Sequence, residues 1–237
     1  MSAESDWTFA GFGPEFDEHV ARHLPGYFDV QNLVGIVAEH CVPNGGVVAD
    51  LGCSTGQTAR TIADRLKKRW LSFYLYDADP SMLAVAGQQM HEGSQRPNMV
   101  CHFRRVNLPA DLDHDQASLT TALWTLQFID PNYWVPILRE ARLGAADNGV
   151  LLIAAKTIQP DSRFQAVAEA ALDDYKDSKG VDPAERAAKT KALRGTQFTL
   201  SAEGYSRAIR EAGWAKPVVL WRWHVWTVLA AYATEVE

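Results

Sequence analysis

The sequence predicts an α/β fold built on a mostly parallel sheet. Two short apolar runs, residues 47–49 and 71–76, have the length of buried parallel strands, and each is followed at once by an acid. A glycine-punctuated loop and a helical pattern come after the first run, and strand and helix patterns then alternate along the chain. This alternation is typical of a Rossmann-like sheet with helices on both faces.

The loop after the first run is predicted to touch a ligand. Asp50 lies where the strand reaches the carboxyl edge of the sheet, which is the usual ligand edge in such folds. Gly52 allows a positive φ and lets a ligand lie against the backbone. Gly56 lets the following helix, about residues 57–68, begin close to the strand.

This loop differs from the G-x-G-x-x-G fingerprint of dinucleotide-binding proteins, because Ser54 occupies the place of the second glycine. Asp50 also repels phosphate, so a cationic or hydroxyl-rich ligand suits the loop better. Cys53 is predicted to fill space beside the ligand, and Ser54 or Thr55 is predicted to cap the next helix.

The second strand ends in Asp77, which is placed to accept hydrogen bonds from both hydroxyls of a ribose. Ala78 follows it in the same predicted loop. The third strand, about residues 99–106, ends at Asn107 and Leu108. These positions are therefore expected at the same edge of the sheet.

The other predicted elements follow in regular order, and together they give one domain over residues 1–237 with a seven-stranded sheet. Residues 1–44 are expected to form a helical lid over the ligand edge. The last two strands are expected to pair as an antiparallel C-terminal hairpin. The remaining predictions are a strand at 118–126, a helix at 134–143, a turn at 144–149, a strand at 150–155, helical segments at 162–194 interrupted near 180–183, a helix at 201–209 and the strand pair at 218–230.

Composition disfavours several classes of protein. The net charge of −6 over 237 residues argues against a nucleic-acid partner, which normally requires a basic surface. The three cysteines, Cys41, Cys53 and Cys101, form no C-x-x-C pair and fit reduced thiols without structural zinc. No secretory signal and no apolar run of the ~20 residues that a membrane helix needs is present, so a cytoplasmic location is predicted.

No metal site is predicted. His91, His102 and His114 show no ligand spacing with one another or with the cysteines, so each is expected to be a surface or packing residue. The oligomeric state is left open, with a homodimer as one alternative.

Two motifs, D-L-G-C-S-T-G from Asp50 and D-x-D-P-S-M-L from Asp77, together resemble the class I S-adenosylmethionine (SAM) methyltransferases. That resemblance covers most of the chain. A narrower one, to the carboxy-SAM synthases, is carried by four further segments: Asp6-Trp7-Thr8-Phe9, Phe16-Asp17-Glu18-His19-Val20, Leu24-Pro25-Gly26-Tyr27 and Thr125-Leu126-Gln127-Phe128.

The resemblance implies SAM as cofactor and S-adenosylhomocysteine as product. It implies that Asp50 lies near the ammonium group of SAM, that Asp77 binds the ribose, and that Asn107 or Leu108 lies beside the adenine. Methyltransferases often carry an acid at the position of Asn107, so the adenine contact is left open between its amide and the backbone.

Aromatic residues are candidates for the methyl-transfer end of the site. Tyr27 corresponds to a tyrosine that touches SAM in the synthases, and Trp124 follows the strand that faces the transferable methyl; both are candidates for cation–π attraction to the sulfonium. A core role is the alternative for each. The insertion and the carboxyl end are rich in aromatic residues, which suggests a planar or apolar acceptor. These residues are Tyr175, Trp221, Trp223, His224 and Trp226. His224 is also a candidate catalytic residue.

Two departures from the synthases bear on the reaction. Thr190 occupies the place of the arginine that holds the carboxylate of carboxy-SAM, and Leu123 stands where the synthases carry an asparagine. A threonine cannot make the charged, bidentate contact of an arginine. Lys189, Lys191 and Arg194 are interpreted as solvated helix charges, and replacement of the arginine by one of them is left open.

The sequence therefore predicts a SAM-dependent methyltransferase with a small-molecule acceptor, shaped by a helical insertion at residues 161–195. One alternative is a carboxy-SAM synthase, which combines SAM with prephenate in the tRNA wobble-uridine pathway. A non-catalytic SAM-binding protein is an alternative of another class. A nucleotide-dependent dehydrogenase is disfavoured by the missing G-x-G-x-x-G motif.

Overall fold

A central sheet organises the part of the chain that the structure describes. The structure is a computed structural model, and it describes residues 15–92, 97–110 and 112–235. Within those residues the strands are β1 Gly46–Leu51, β2 Leu71–Asp77, β3 Met99–Arg105, β4 Ala117–Leu123, β5 Ala145–Lys156, β6 Ala215–Trp223 and β7 Trp226–Tyr232. They form one seven-stranded sheet in the order β3-β2-β1-β4-β5-β7-β6.

Helices connect most of the strands. They are α1 Phe16–His23, α2 Tyr27–Cys41, α3 Gln57–Arg65, α4 Pro80–Glu92, α5 Trp134–Leu143, α6 Ser162–Ser178, α7 Pro183–Ala192 and α8 Ala202–Glu211. Two 3₁₀ turns, Leu126–Phe128 and Pro131–Tyr133, lie between β4 and α5.

The first five strands run parallel, and β4 among them is covered on both faces. β1 pairs with β2 on one side and with β4 on the other, and β4 pairs with β5. Every residue of β4 is buried. A continuous apolar strand of this kind is stable because helices shield both of its faces from water.

The sheet closes with an antiparallel hairpin. β7 pairs antiparallel with β5, with Val150 opposite Tyr232, and β6 pairs antiparallel with β7. The predicted fold class, a mostly parallel seven-stranded sheet with an antiparallel C-terminal hairpin, is confirmed.

Each face of the sheet carries its own hydrophobic layer. On one face, α5 and α8 pack through Trp134, Ile137 and Tyr205. On the other, α2 and α3 pack through Val34 and Ile62. The sheet is therefore held rigidly between two helical layers, and its carboxyl edge is fixed in position.

The helices α1 and α6 meet above that edge. Leu24 and Tyr27, from the end of α1 and the start of α2, pack with Ala168 and Leu172 of α6. Val225, in the β6–β7 turn, and Trp226, at the start of β7, complete this smaller cluster. The helical segments predicted in the insertion match α6 and α7, and the predicted interruption near residues 180–183 matches the break between them.

Three predicted boundaries were wrong. α3 ends at Arg65, and its N-cap is Gly56 rather than Ser54 or Thr55, with φ 79° and no side-chain cap. β4 ends at Leu123, because Trp124 has a positive φ of 57° that breaks the extended backbone.

The third wrong boundary is the turn predicted at 144–149. β5 begins at Ala145, which pairs with Ala117, and the Ala117 amide donates to the Gly144 carbonyl at 2.9 Å. A register shift between Ala117 and Leu119 absorbs the irregular segment. The polar residues Asp147 and Asn148 are therefore part of strand β5 and not of a turn before it.

Some predictions fall outside the described residues. These are the Asp6–Phe9 motif and the first fourteen residues of the predicted lid. Among the helices of the described part, none combines the length and apolar character required to cross a membrane.

Trp134 gives a direct test of the α5–α8 layer. Its side chain is 1% exposed, stacks on Tyr205 at 4.8 Å between ring centroids, and donates from Nε1 to the Ile129 carbonyl at 2.8 Å. We expect Trp134→Ala to lower the free energy of unfolding by about 3–5 kcal/mol, measured by urea denaturation. Tyr133→Ala, at a neighbouring side chain that is 47% exposed, is the control and should change it by about 0.5 kcal/mol or less. Equal losses would contradict this packing.

Candidate functional site

A cavity of about 870 Å³ opens at the carboxyl edge of the parallel strands. The loops after β1, β2, β3 and β4 line its floor, and residues of α1, α2, α6 and α7 line the opposite side. Ligands of open α/β sheets bind at this edge, because the strands all end there and the connecting loops converge. The helical segments partly enclose the site.

Backbone hydrogen bonds fix the loop after β1 to the end of β2. The amides of Gly52 and Cys53 both donate to the Tyr76 carbonyl, at 2.7 and 2.9 Å. Gly52 has φ 76°, and a Cβ at this position would collide with the side chain of Thr125. Thr125 in turn donates to the Leu51 carbonyl at 2.7 Å. Glycine is therefore required here for both conformation and space.

Asp77 fixes the same loop from the other side. Its Oδ2 accepts from the Ser54 amide at 2.8 Å, and its Oδ1 accepts from the Asp79 amide at 2.9 Å. Burial raises the pKa of this half-buried carboxyl group, while the backbone donors oppose the rise. Each carboxylate oxygen has further acceptor capacity, so the group is able to receive two hydroxyls as well.

A buried hydrogen-bonded group joins α1 to the loop. Asp17 accepts from the Tyr27 hydroxyl at 2.6 Å and from the Thr55 hydroxyl at 3.0 Å. Burial, with Asp17 next in effect, raises the pKa of Tyr27, so the phenol stays protonated. The Tyr27 ring lies 5.1 Å from the Trp124 ring, measured between centroids. The tyrosine therefore presents a ring, and not an available hydroxyl, to the cavity.

The opposite end of the cavity is rich in cations. Lys156 ends β5, Lys176 lies on α6 and Lys189 lies on α7, and all three line the cavity. Burial, followed by the charge of Lys176, lowers the pKa of Lys189 to about 8. Burial and Lys176 also lower the pKa of Lys156. Three elements thus bring like charges together in a partly desolvated space, which favours an anionic ligand.

The cationic side chains that line this end of the cavity differ in whether an acidic side chain lies close to them. Lys176 lies 3.5 Å from Asp173, and Arg186 pairs with Asp177 at 2.9 Å. The ammonium of Lys156 makes no hydrogen bond or ion pair with the described residues. Lys156 is therefore the cation best placed to receive an anion from the cavity.

Sequence comparison finds relatives over most of the chain. The carboxy-S-adenosyl-L-methionine synthase of Shewanella amazonensis is 25% identical over 229 residues, which are 91% of this chain and 93% of that protein. The protein of the same description in Chromohalobacter salexigens is 25% identical over 205 residues, 85% of this chain and 73% of that one. No protein-family model matches the chain.

Structural comparison decides the fold. An O-methyltransferase family protein from Burkholderia thailandensis superimposes with a TM-score of 0.62 at 16% identity, over 94% of this chain and 64% of that one. The chain has the class I methyltransferase fold. Its sequence is similar to carboxy-SAM synthases, as the motifs predicted.

Most predicted ligand-binding positions of this methyltransferase fold meet in the one cavity. Those that line it are Tyr27, Gly52, Cys53, Ser54, Asp77, Ala78, Asn107, Leu108, Leu123 and Trp124. Burial raises the pKa of the Cys53 thiol, so it is a neutral packing group and not a nucleophile.

Three predicted positions do not line the cavity. Asp50 is 2% exposed and lies within β1, behind the loop. Gly56 serves as the N-cap of α3. His224 is exposed in the β6–β7 turn, which places it away from the candidate reaction centre, so its candidacy as a catalytic residue is not supported.

The predictions for the acceptor end also need correction. Lys189 faces the cavity and is partly buried, so its interpretation as a solvated helix charge was wrong. Arg194 and Thr190 line the cavity with exposed side chains, whereas Lys191 is exposed and outside its lining. Of the aromatic residues suggested for the acceptor, Trp226 lines the cavity.

Sequence reasoning missed several residues of the site. Asp17 was quoted within a motif without a role, Thr55 was considered only as a helix cap, and Lys156 and Lys176 were passed over. Asp17 follows Phe16 in a segment that carried the family resemblance, which was a usable signal. The lysines gave no local signal, because their proximity depends on packing between β5, α6 and α7.

Asp50 makes the stability of this protein depend on pH. Its Oδ1 accepts from Thr121 at 2.7 Å, and its Oδ2 has no hydrogen-bond partner among the described residues. Burial raises the pKa of Asp50 to about 7. Since the folded-state pKa is above the unfolded value, the folded form is favoured at low pH, and that advantage is lost as the pH rises towards about 7.

We therefore expect Asp50→Asn to gain stability relative to the parent protein as the pH rises. The relative gain between pH 5 and pH 8 should be roughly 2–3 kcal/mol in urea unfolding without ligand. Asp147→Asn, at an exposed acid, is the control and should show no such trend. A pH-independent difference for Asp50→Asn would contradict the assignment of a buried, neutral carboxyl group.

Proposed function

We propose that this chain is a SAM-dependent methyltransferase acting on a small molecule that carries an anionic group. The observation that carries this proposal is the meeting of the Gly52 loop and Asp77 in one cavity of a class I methyltransferase fold. In the proposed complex, the Gly52 backbone lies against the amino-acid part of SAM. The Asp77 carboxylate accepts the ribose hydroxyls.

The adenine and the sulfonium are assigned to neighbouring walls. Asn107 and Leu108, after β3, lie beside the adenine, where an amide side chain and backbone groups supply hydrogen bonds. The rings of Tyr27 and Trp124, which are tilted by 30° to each other, lie near the sulfonium, where cation–π attraction contributes about 0.5–2 kcal/mol. Asp50 contributes indirectly, by packing behind the loop.

The size of the cavity supports a small acceptor. Its volume of about 870 Å³ lies within the ~300–1,000 Å³ typical of small-molecule sites. We propose that residues 1–44 act as a lid and that residues 161–195 shape the acceptor end of a single domain. The net charge of −6 also favours a small metabolite over a nucleic acid, and the free cysteines suit a cytoplasmic setting.

The lysines support an anionic acceptor. An anion placed between Lys156, Lys176 and Lys189 relieves the repulsion among them and is itself stabilised in a partly desolvated space. Methyl transfer is an in-line displacement in which the acceptor attacks the methyl carbon and S-adenosylhomocysteine leaves. The protein contributes alignment and exclusion of water, and the lysines hold the acceptor by its charge.

A carboxy-SAM synthase is the second candidate. It is supported by the similarity to synthases over 91% of the chain and by Lys189, which faces the cavity. Lys189 is next in sequence to Thr190, the position at which the synthases carry an arginine. In that reaction the lysines would hold the carboxylate of the modified cofactor. The absence of the bidentate arginine at Thr190 and of the asparagine at Leu123 favours methyl transfer instead.

The cofactor site is tested by substitution of its loop. We expect the protein to bind SAM or S-adenosylhomocysteine in the micromolar range by calorimetry. Gly52→Val should abolish this binding through backbone strain and collision with Thr125. Asp77→Ala should weaken it by about 1.5–3 kcal/mol for each lost charge-assisted hydrogen bond.

Gly45→Val is a matched control for Gly52→Val. Gly45 has a similar φ of 81°, but a Cβ there meets nothing within 4 Å. It should lose some stability and keep its affinity for SAM. Full affinity in a folded Gly52→Val protein would exclude this loop as the cofactor site.

The reaction type is tested by the ligand that the purified protein releases. We expect mass spectrometry to find SAM or S-adenosylhomocysteine without an added carboxyl group, and added prephenate to remain unconsumed. Carboxy-SAM in the released material would establish the second candidate. In that case Lys189→Met and Lys156→Met should each reduce its retention, whereas Lys191→Met, outside the cavity lining, should not.

A further inference from the structure

Two histidines and a glutamate meet where α1 contacts α7. His19 and His23 lie four residues apart on one face of α1, with ring centroids separated by 4.7 Å. Oε1 of Glu185, on α7, lies 3.1 Å from Nε2 of His23 and 3.9 Å from Nδ1 of His19. One nitrogen from each ring and one carboxylate oxygen all lie within 4.8 Å of one another.

We propose that His19, His23 and Glu185 form a binding site for a divalent transition-metal ion of the Zn²⁺ type. Two imidazoles and a carboxylate are a donor set that such ions prefer, and three protein ligands leave positions for water or another small ligand. Tetrahedral bonds of 2.0–2.2 Å place ligand atoms roughly 3.4 Å apart. The observed separations therefore require side-chain adjustments of about 1 Å, without movement of the helices.

The local environment keeps the donors in their metal-binding form. Burial, followed by the charge of Lys189, lowers the pKa of His19 and lowers that of His23 to about 4. Both imidazoles are therefore neutral near pH 7, which is the form that binds metals. The Glu185 side chain is 43% exposed, so an ion is able to enter from solvent.

The nearby positive charges oppose a bound cation. Lys189 and Arg22 act on His19, and Lys189 acts on His23. Glu185 offsets them and is the one carboxylate of the donor set. We therefore expect the affinity of the site for metal to rise when the charge of Lys189 is removed. This rise distinguishes a metal site from a contact that only hydrogen-bonds α1 to α7.

The proposed metal site lies next to the cavity. His23 lines the cavity, and α7 supplies Lys189 and Thr190 to its lining. A metal held by His23 and Glu185 would fasten α1 to α7 beside the cavity. This inference does not depend on the proposed transfer reaction, because it concerns a separate set of ligands.

The test uses the full chain treated with a chelator and then titrated with Zn²⁺ by calorimetry. We expect one ion per chain with an affinity in the micromolar range or tighter, and Co²⁺ to give the visible absorption of a low-symmetry site. His23→Gln and Glu185→Gln should each weaken Zn²⁺ binding at least tenfold. Lys189→Met should strengthen it.

Matched controls distinguish this site from adventitious binding. Glu18→Gln removes an exposed acid from α1, and His102→Gln removes a histidine of β3; neither should alter Zn²⁺ affinity. Circular dichroism and the midpoint of urea unfolding verify that each variant is folded. Absence of saturable Zn²⁺ binding, or unchanged affinity in both His23→Gln and Glu185→Gln, would overturn the proposal even if SAM binding is observed.

Discussion

The hydrogen bonds between the end of β2 and the loop after β1 are the constraint on which the site depends. The Tyr76 carbonyl receives two loop amides, and Asp77 receives the Ser54 amide. Without these bonds, a loop with positive φ at both Gly52 and Ser54 would have many alternative conformations. Because β1 and β2 are fixed between two helical layers, the loop and the acid that contacts it form a preorganised surface at the sheet edge.

The sequence was sufficient where a function is encoded locally. Gly52 and Asp77 could be predicted as ligand contacts because their chemistry depends on a strand end and the loop after it, and both line the cavity. The alternation of strand and helix patterns was enough to predict a mostly parallel sheet. Asp50 is buried and does not line the cavity, and strand periodicity does not show on which side of a loop an acid lies. The cluster of lysines could not be predicted from the sequence, because Lys156, Lys176 and Lys189 come together only when three distant segments pack.

The cavity has opposite chemical character at its two ends. The Asp77 carboxylate forms an end that suits hydroxyls and a cationic amino group, while Lys156 and Lys189 form an end that suits an anion. This separation is independent of the net charge of −6, which describes the whole chain and not the inside of the site. A cofactor and a second substrate with complementary charges would thus be oriented by long-range attraction before their close contacts form.

The carboxylate of Asp17 belongs to α1 but is hydrogen-bonded to Thr55 in the loop and to Tyr27 at the start of α2. Opening of α1 requires both contacts to break, at roughly 1.5–3 kcal/mol for each hydrogen bond to a charged group. At that cost the opened form represents about 1% of molecules or fewer. If α1 has to open for a ligand to enter, entry proceeds through this rare state, and a ligand that holds the loop in place slows its own escape by making that state rarer still.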